Sequence, residues 1–409
     1  MKGASKHFKY YFHLFAIILF LLFLVSCDGI TPTTYTITAT SGPGGSISPS
    51  GEVRITEGES QEFTITPDEC HQIAEVLVDG VSQGSIATYT FDNVNQNGTI
   101  QASFTSVKIY NVDTGDAYDT IQGAIDASHP GDTIIVCPGT YNENIVLGNK
   151  NITLRSTDPL NPSVVAATII DAGESGSVVE FTGGDTSTLK GFKITNGNAS
   201  YGGGISVISS SPTITNNTIT NNTAYSGGGI YLYESSPEII GNSIRDNLAN
   251  VGSGIIIAYF SYPHISDNSI TNNTATYAGG GIYVVNHCSP FIRNNTIQEN
   301  IAKGHGGIGH GGGIYVIDES SPTVEDNIIR ENKSRDYGGG IYVSLNSKLL
   351  PDIPRPTGWD TSRENIPTGS PFTPAEGVEF TIASNKFVGN EHGDPSGYTE
   401  GAHVYFSTW

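Results

Sequence analysis

The sequence is poor in basic residues, and this shortage narrows the range of partners. It has 19 lysines and arginines against 40 aspartates and glutamates, with a formal net charge of −21. Nucleic acids and anionic lipid headgroups attract basic surfaces, so this balance argues against both as partners. An acidic surface permits calcium binding through carboxylate oxygens, although it also suits a protein that is simply well solvated. We therefore expect no nucleic-acid partner and no required cofactor, with calcium left open.

Cysteine is also scarce. The chain contains only Cys27, Cys70, Cys137 and Cys288, and the intervals between them are unrelated. Cys27 belongs to a leader motif, so three cysteines remain for the folded part of the chain. An odd number at irregular spacing predicts neither a disulfide framework nor a cysteine metal site. No metal ligand can be assigned from the sequence.

Long apolar runs are missing except near the start of the chain. Three lysines precede an apolar stretch from Phe15 to Val25, which is too short to cross a bilayer comfortably. Leu24-Val25-Ser26-Cys27 resembles the lipobox of bacterial lipoproteins, which implies that Cys27 is lipidated after cleavage. We expect residues 1–26 to be a lipoprotein signal peptide and 27–32 a linker, with an ordinary signal peptide or membrane anchor as the alternative. The expected location is the bacterial cell envelope or surface, with membrane contact through the lipid only.

Helical periodicity is missing from the second half of the chain, which instead contains a repeat. Six glycine-rich motifs start at Tyr201, Ser226, Val251, Ala278, His310 and Tyr337, and each ends in an isoleucine. The steps between these isoleucines are 25, 25, 27, 32 and 27 residues. A second pattern, Pro-x-aliphatic-x-x-Asn-x-Ile-x-x-Asn, follows the first five motifs. A period of this length predicts a stacked solenoid.

Each repeat contains three short strand signals, because its apolar residues alternate and are separated by Gly, Pro, Asn and Ser. A unit of this size is one coil of a parallel β-helix, in which coils stack about 4.8 Å apart and equivalent residues form columns. Two asparagine columns should form inward hydrogen-bonded ladders. They are Asn217, Asn242, Asn268, Asn295 and Asn327, and Asn222, Asn247, Asn273, Asn300 and Asn332. The glycines should allow a tight corner with positive φ or close backbone approach.

These repeats resemble the right-handed parallel β-helix of the pectin-lyase-like superfamily, over residues 107–409. The Gly-Gly-x-Ile and Asn patterns are also similar to chlamydial polymorphic outer-membrane proteins. Residues 33–106 resemble a bacterial repeat domain related to internalin B-repeats, which implies a spacer. The expected fold is therefore all-β: a right-handed parallel β-helix preceded by a small β-rich repeat domain.

The start of the predicted β-helix has its own pattern. Ile121, Ala124 and Ile125 are spaced along one helical face, and His129-Pro-Gly131 should end that helix. Residues 133–143 continue with Thr-Ile-Ile-Val and Pro-Gly-Thr-Tyr-Asn-Glu. The block resembles the opening of pectin-methylesterase-like proteins, but their catalytic signatures have no counterpart in this chain. We interpret it as an N-terminal cap.

The strand after each glycine motif places one aromatic column on the outside of the predicted coil. The column includes Tyr231, Tyr283, Tyr315 and Tyr342, and exposed aromatic rings suit the apolar faces of sugars. Ordinary strand surface is the alternative, because tyrosine favours β-structure. Insertions at 303–310 and 345–377 flank this strand and should form groove walls, with Trp359 closing on a glycan from the side.

Candidates for catalysis are His305 and His310 as bases, with carboxylates at Glu299, Glu331 and Asp326. Glu299 and Glu331 should lie on adjacent coils, which could seat calcium or a glycosidase pair, or could be a solvated turn. The Gly-His-Gly at 304–306 superficially resembles a polygalacturonase motif, but that family's partner motifs are missing. No pectate-lyase aspartate cluster with an arginine base is recognisable either.

Two function classes follow from these features. One is an exported, lipid-anchored surface protein that binds polysaccharide or cell-surface glycan, or acts as an adhesive or structural module. The alternative is a polysaccharide lyase or glycoside hydrolase, with its site in a groove on the C-terminal coils. The first needs only an aromatic face, whereas the second needs titratable groups that converge in one groove.

Overall fold

The structure is a computed structural model that describes residues 32–304, 309–344, 381–394, 397–400 and 404–407. The predicted signal peptide, the insertion at 345–377, and the candidates Cys27, His305 and Trp359 lie outside these residues. The chain divides after Ser106 into two compact units, Met1–Ser106 and Val107–Trp409.

The first unit is β-rich and has two small sheets. The five-stranded sheet contains, in spatial order, Gly51–Thr56, Thr34–Ser41, Gly98–Ser106, His71–Val78 and Val81–Ser82. The three-stranded sheet contains Gly45–Ser48, Gln61–Pro67 and Thr88–Phe91. A two-residue turn at Asp79 and Gly80, both with positive φ, joins His71–Val78 to Val81–Ser82, as the Asp-Gly pair predicts. Phe63, Val76 and Ile100 are buried in its core.

The second unit is a parallel β-solenoid, as the repeat predicts. Its strands form four sheets in the described part of the chain, and successive strands of each coil enter the sheets in turn. We name the sheets by the residue that precedes their strands in the repeat: the glycine sheet, the proline sheet, the first asparagine sheet and the second asparagine sheet.

The bounds of the strands are as follows. The glycine sheet contains Ile145–Val146, Val179–Phe181, Ile205–Ile208, Ile230–Tyr233, Ile255–Ala258, Ile282–Val285, Ile314–Val316, Ile341–Ser344 and Val404–Ser407. The proline sheet contains Ala117–Tyr118, Ile109–Asn111, Thr133–Val136, Thr153–Ser156, Thr188–Lys190, Thr213–Thr215, Glu238–Ile240, His264–Ser266, Phe291–Arg293, Thr323–Glu325 and Thr381–Ala383.

The remaining strands belong to the two asparagine sheets. The first asparagine sheet contains Gly139–Asn142, Thr168–Asp171, Lys193–Thr195, Thr218–Thr220, Ser243–Arg245, Ser269–Thr271, Thr296–Gln298, Ile328–Arg330 and Lys386–Val388. The second asparagine sheet contains Asn198–Tyr201, Thr223–Ser226, Leu248–Val251, Thr274–Ala278, Ile301–Ala302, Lys333–Ser334, Glu391–Asp394 and Gly397–Glu400.

The second asparagine sheet corrects the prediction of three strands per coil, because each full repeat has four. Its strands, such as Thr223–Ser226, contain small and polar residues and lack the β-branched alternation that marks the other three. Their backbone is nevertheless paired coil to coil, with Ala224 opposite Ala249 and Ser226 opposite Val251.

The inner core is a stack of aliphatic columns. Ile230, Ile255, Ile282, Ile314 and Ile341 are in register in the glycine sheet and fully buried. Matching columns from the proline sheet and first asparagine sheet meet them inside the coil. The repeat resumes after the long insertion, because Thr381–Ala383 and Lys386–Val388 pair with the preceding coil.

Both predicted asparagine ladders are confirmed. Asn268 Oδ1 accepts hydrogen bonds from Asn242 N and Asn242 Nδ2, at 2.8 and 3.0 Å. Asn268 Nδ2 in turn donates to Ile239 O and to Asn295 Oδ1, at 2.8 and 3.0 Å. The two ladders extend to Asn385 and Asn390 in the last coil. Buried amides are thereby satisfied at two corners of each coil from Asn217 to Asn390.

The glycine triplets form the corner between the second asparagine sheet and the glycine sheet. A Cβ on Gly279, whose φ is +68°, would lie 2.6 Å from Tyr283 Cβ. A Cβ on Gly280 would lie 2.7 Å from Ile301 N, and one on Gly281 would lie 2.5 Å from Gly313 O. Positive φ explains the first glycine, whereas close backbone approach explains the other two.

Two helices accompany the first coils, Ile121–Ala127 and Pro162–Ala167. The first is the predicted cap, with Ile121, Ala124 and Ile125 buried. Thr120 accepts a hydrogen bond from Gly123 N, and the Glu143 carboxylate accepts from Ile121 N and Gln122 N at 2.9 and 3.0 Å. These bonds satisfy the free N–H groups at the start of the helix. No helix in the described ranges is long and apolar enough to cross a bilayer.

The cysteines differ from expectation. Cys70 and Cys137 are each disulfide-bonded, although their spacing in the sequence indicated no disulfide framework. Cys288 is a free, buried thiol. It replaces serine in a third polar column, formed by Ser210, Ser235, Ser261, Cys288 and Ser320, in which each side chain accepts a hydrogen bond from the backbone one coil earlier. Burial raises the pKa of its thiol to about 12.

Candidate functional site

The predicted tyrosine column is in register but is not exposed. Tyr231, Tyr283, Tyr315 and Tyr342 are 0, 1, 3 and 5% exposed, so the prediction that they line an open glycan groove is wrong. Tyr283 and Tyr315 stack with ring centroids 5.0 Å apart. Desolvation on burial raises the pKa of the Tyr283 hydroxyl well above its usual value.

A second hydrophobic core explains this burial. The second asparagine sheet turns back at the glycines, so Tyr201, Val251 and Ala278 pack against the outer face of the glycine sheet. Alternation in the sequence separates the inner from the outer face of a strand, but it does not show whether another strand covers the outer face. The strand that was missed is the one that covers the tyrosines.

His310 belongs to the same second core. Its ring stacks on Tyr342 at 4.4 Å between centroids and on Tyr337 at 5.6 Å. Burial lowers its pKa, and the nearby Asp336 opposes this shift. The half-buried ring therefore has a packing role at the end of the tyrosine column.

The candidate carboxylates lie at other corners of the coil. Glu299 and Glu331 are neighbours on adjacent coils, as predicted, and Gln298 Nε2 donates to both, at 2.6 and 3.2 Å. They follow the first asparagine sheet, whereas Asp326 follows the proline sheet and His310 precedes the glycine sheet. These four candidates are therefore divided among three corners and do not form one site.

All three carboxylates are exposed and have positive φ, between 53° and 56°. This conformation belongs to the residue that precedes each ladder asparagine; Asn216, Asp267 and Asn294 share it. The carboxylates are therefore corner residues. Among the residues that the structure describes, no cluster of histidine, cysteine and carboxylate groups could hold a metal ion.

An exposed aromatic surface that sequence analysis missed lies between the glycine sheet and the proline sheet. It consists of Phe260, Tyr262, His264, His287 and Phe291, which we call the aromatic corner. Phe260 and Tyr262 are 50 and 52% exposed. His287 is also exposed, and His264 and Phe291 are half-buried. Exposed apolar groups that cluster in this way mark interaction surfaces more often than isolated ones do.

Ring contacts organise the aromatic corner into two pairs. Phe260 and His287 stack with centroids 5.2 Å apart and planes 7° from parallel. His264 and Phe291, which are register partners in the proline sheet, have centroids 5.1 Å apart. Each pair takes one ring from the coil of Phe260 and one ring from the next coil.

Polar groups border both pairs. His287 Nδ1 lies 3.4 Å from Glu319 Oε2 on the next coil. The Arg293 guanidinium carbon lies 5.7 Å from the centroid of the Phe291 ring, within range of a cation–π contact. Flat apolar rings and hydrogen-bonding groups are therefore exposed side by side.

The backbone of this corner has positive φ in successive coils. Tyr259 and Phe260 have φ of 50° and 52°, and Asn286 and His287 in the next coil have φ of 62° and 57°. The left-handed conformation is uncommon for bulky residues, and it belongs here to the corner itself. The signal in the sequence is the spacing, because Ala258 to Pro263 is one residue longer than Tyr233 to Pro237.

Comparison with known proteins identifies the family from the sequence as well. The model of the right-handed beta helix region matches residues 74–309 and again residues 250–350. Comparison with curated proteins and with solved structures finds no match. The chain therefore belongs to the right-handed β-helix family, in agreement with its four-sheet solenoid.

Proposed function

We propose that this chain is an exported, lipid-anchored surface protein that binds a polysaccharide or cell-surface glycan without chemically altering it. The observation that carries the proposal is the aromatic corner, where rings and hydrogen-bonding groups are exposed together. Aromatic rings offer a large flat apolar area, which suits the C–H faces of sugar rings. The buried tyrosine column cannot serve in this way.

Export is supported by two features. Cys70 and Cys137 are each disulfide-bonded, and disulfides persist mainly in oxidising compartments outside the cytoplasm. The Leu24-Val25-Ser26-Cys27 motif supports lipid anchoring at Cys27 and thereby attachment to the cell envelope. Residues 33–106 act as a spacer in this proposal.

Binding is preferred to catalysis because the described candidates for catalysis are dispersed. A lyase or hydrolase needs a base and an acid, or a nucleophile, on one substrate. Glu299 and Glu331 share one corner, but Asp326 and His310 lie at two others.

The first prediction tests this function. Protein lacking residues 1–27 should bind at least one member of a panel containing a β-glucan, a mannan, a xylan, polygalacturonate and alginate. Binding would be measured by affinity electrophoresis and calorimetry. In parallel, absorbance of unsaturated products and a count of reducing ends should remain at the level of a protein-free blank.

Two outcomes would contradict the proposal. Release of unsaturated products or new reducing ends would make the chain an enzyme. Failure to bind any member of the panel would remove the glycan-binding function.

A further inference from the structure

The aromatic corner begins abruptly along the solenoid. In the preceding coil, the corresponding turn Glu234-Ser235-Ser236 is one residue shorter than Tyr259-Phe260-Ser261-Tyr262 and contains no ring. Phe260 is therefore the first ring of its column. One of its faces is covered by His287, and its side chain is nevertheless half exposed.

A second exposed ring lies close to Phe260 along the chain. Tyr262 is two residues away, so the two Cα atoms are at most about 7 Å apart. Ser261, between them, points inward, and its Oγ donates to Ala258 O at 2.7 Å. Two rings are thus held on the outside of one turn by a buried hydrogen bond.

The polar border can bind hydroxyl groups. His287 and Glu319 form one exposed polar pair, and His264 lies beyond Tyr262 on the proline sheet. Imidazole nitrogens donate and accept hydrogen bonds, and a carboxylate accepts them. Sugar hydroxyls do both, so they match this border.

The charge around the corner disfavours acidic glycans. Glu238 is the register partner of His264, Glu325 is the register partner of Arg293, and Glu319 contacts His287. Three carboxylates therefore lie around the corner, compared with one guanidinium group. Like charges brought together at an interface oppose binding, and a polyuronate carries one carboxylate on every sugar.

The size of the surface favours a glycan over a protein. A stable protein interface uses roughly 20–30 residues on each side. The aromatic corner has five, and its neighbours along the columns are polar, such as Ser236 and Ser289.

We infer that the aromatic corner is the glycan site and that its ligand is a neutral polysaccharide, with one sugar stacked on Phe260 and the next on Tyr262. This inference rests on the proposed function and specifies its site and ligand class. The chain of sugars lies along the turn from Phe260 toward His264 and so follows the direction of one coil.

The second prediction tests the site and the ligand class separately. Calorimetric titration with neutral β-glucan, mannan or xylan oligosaccharides should show affinity for the wild type, and weak or no binding of oligogalacturonate. Phe260→Ala combined with Tyr262→Ala should lower affinity for the neutral ligand about tenfold or more, because two stacking rings are lost.

Tyr225→Ala is the matched control, since Tyr225 is an exposed tyrosine of the second asparagine sheet, away from the aromatic corner. Its affinity should equal that of the wild type, and both variants should unfold at the wild-type temperature. If the double variant binds with wild-type affinity, the aromatic corner is not the binding site, although the protein still binds glycan. Preference for oligogalacturonate over every neutral ligand would overturn the ligand class, and no binding by the wild type would overturn the proposed function itself.

Discussion

The three glycines of a triplet are small for different reasons, and Ser253 shows that the middle position is the tolerant one. Ser253 occupies the second place of the third triplet and is fully buried. Its Oγ donates to Thr274 O at 2.6 Å, a carbonyl on the first residue of the next second-asparagine strand. The close approach that limits a side chain at this position also offers a hydrogen bond to a hydroxyl.

The third prediction compares neighbouring glycines in one triplet. Gly228→Ser should destabilise the protein less than Gly229→Ser, because Gly228 corresponds to Ser253 and faces the carbonyl of Leu248. A Cβ on Gly229 would lie 2.5 Å from Gly254 O and 2.9 Å from Ile244 Cγ2, so overpacking should cost about 1–3 kcal/mol. Chemical denaturation of both variants measures the difference. Equal losses of unfolding free energy would show that the middle position tolerates serine only in the coil of Ser253.

Elements differ in how far they could be predicted. The asparagine ladders and the inner isoleucine columns follow from the repeat alone, because equivalent residues of stacked coils must adjoin. The cap helix follows from the spacing of Ile121, Ala124 and Ile125. The second asparagine sheet could not be predicted in this way. Thr223–Ser226 has no β-branched alternation, and its pairing depends on the coils above and below.

The fourth prediction concerns the first ladder. Asn268→Leu removes the acceptor of two hydrogen bonds from Asn242 and the donor to Ile239 O. Each buried group left without a partner should cost about 1–3 kcal/mol. Asn198→Leu is the control, because Asn198 is an exposed asparagine in a strand. This variant should unfold at a temperature close to that of the wild type. Thermal denaturation that is the same for Asn268→Leu and the wild type would mean that the ladder does not stabilise the coil.

At the scale of the whole molecule, the solenoid was predictable but the site was not. The register of the tyrosine column was right, since Tyr283 lies opposite Tyr315 and Tyr315 opposite Tyr342. The prediction that the column is exposed was wrong, because the second asparagine sheet covers it and was not predicted. The aromatic corner was missed because its rings come from turns and from two different coils, and a linear pattern does not show that Phe260 meets His287.

The fifth prediction concerns attachment of the whole protein to the membrane. If Cys27 carries lipid, Cys27→Ser should leave the bond between residues 26 and 27 uncleaved, or should release the protein from the membrane fraction. Fractionation and mass spectrometry of the wild type and variant, expressed in a bacterium that processes lipoproteins, measure both effects. Unchanged fractionation and mass would contradict lipidation.

The repeats also show where this molecule can change over evolution. The step from Ile255 to Ile282 is two residues longer than the preceding step, and the inner register is unbroken. One added residue lies in the turn at Tyr259 and Phe260, and the other makes the irregular pairing between Val251 and Ala278. Inner positions are thus repeated almost unaltered from coil to coil, whereas the turn before the proline sheet and the second asparagine strand each accept an added residue. New recognition surfaces can therefore arise at such a turn without a change in the inner register that carries them.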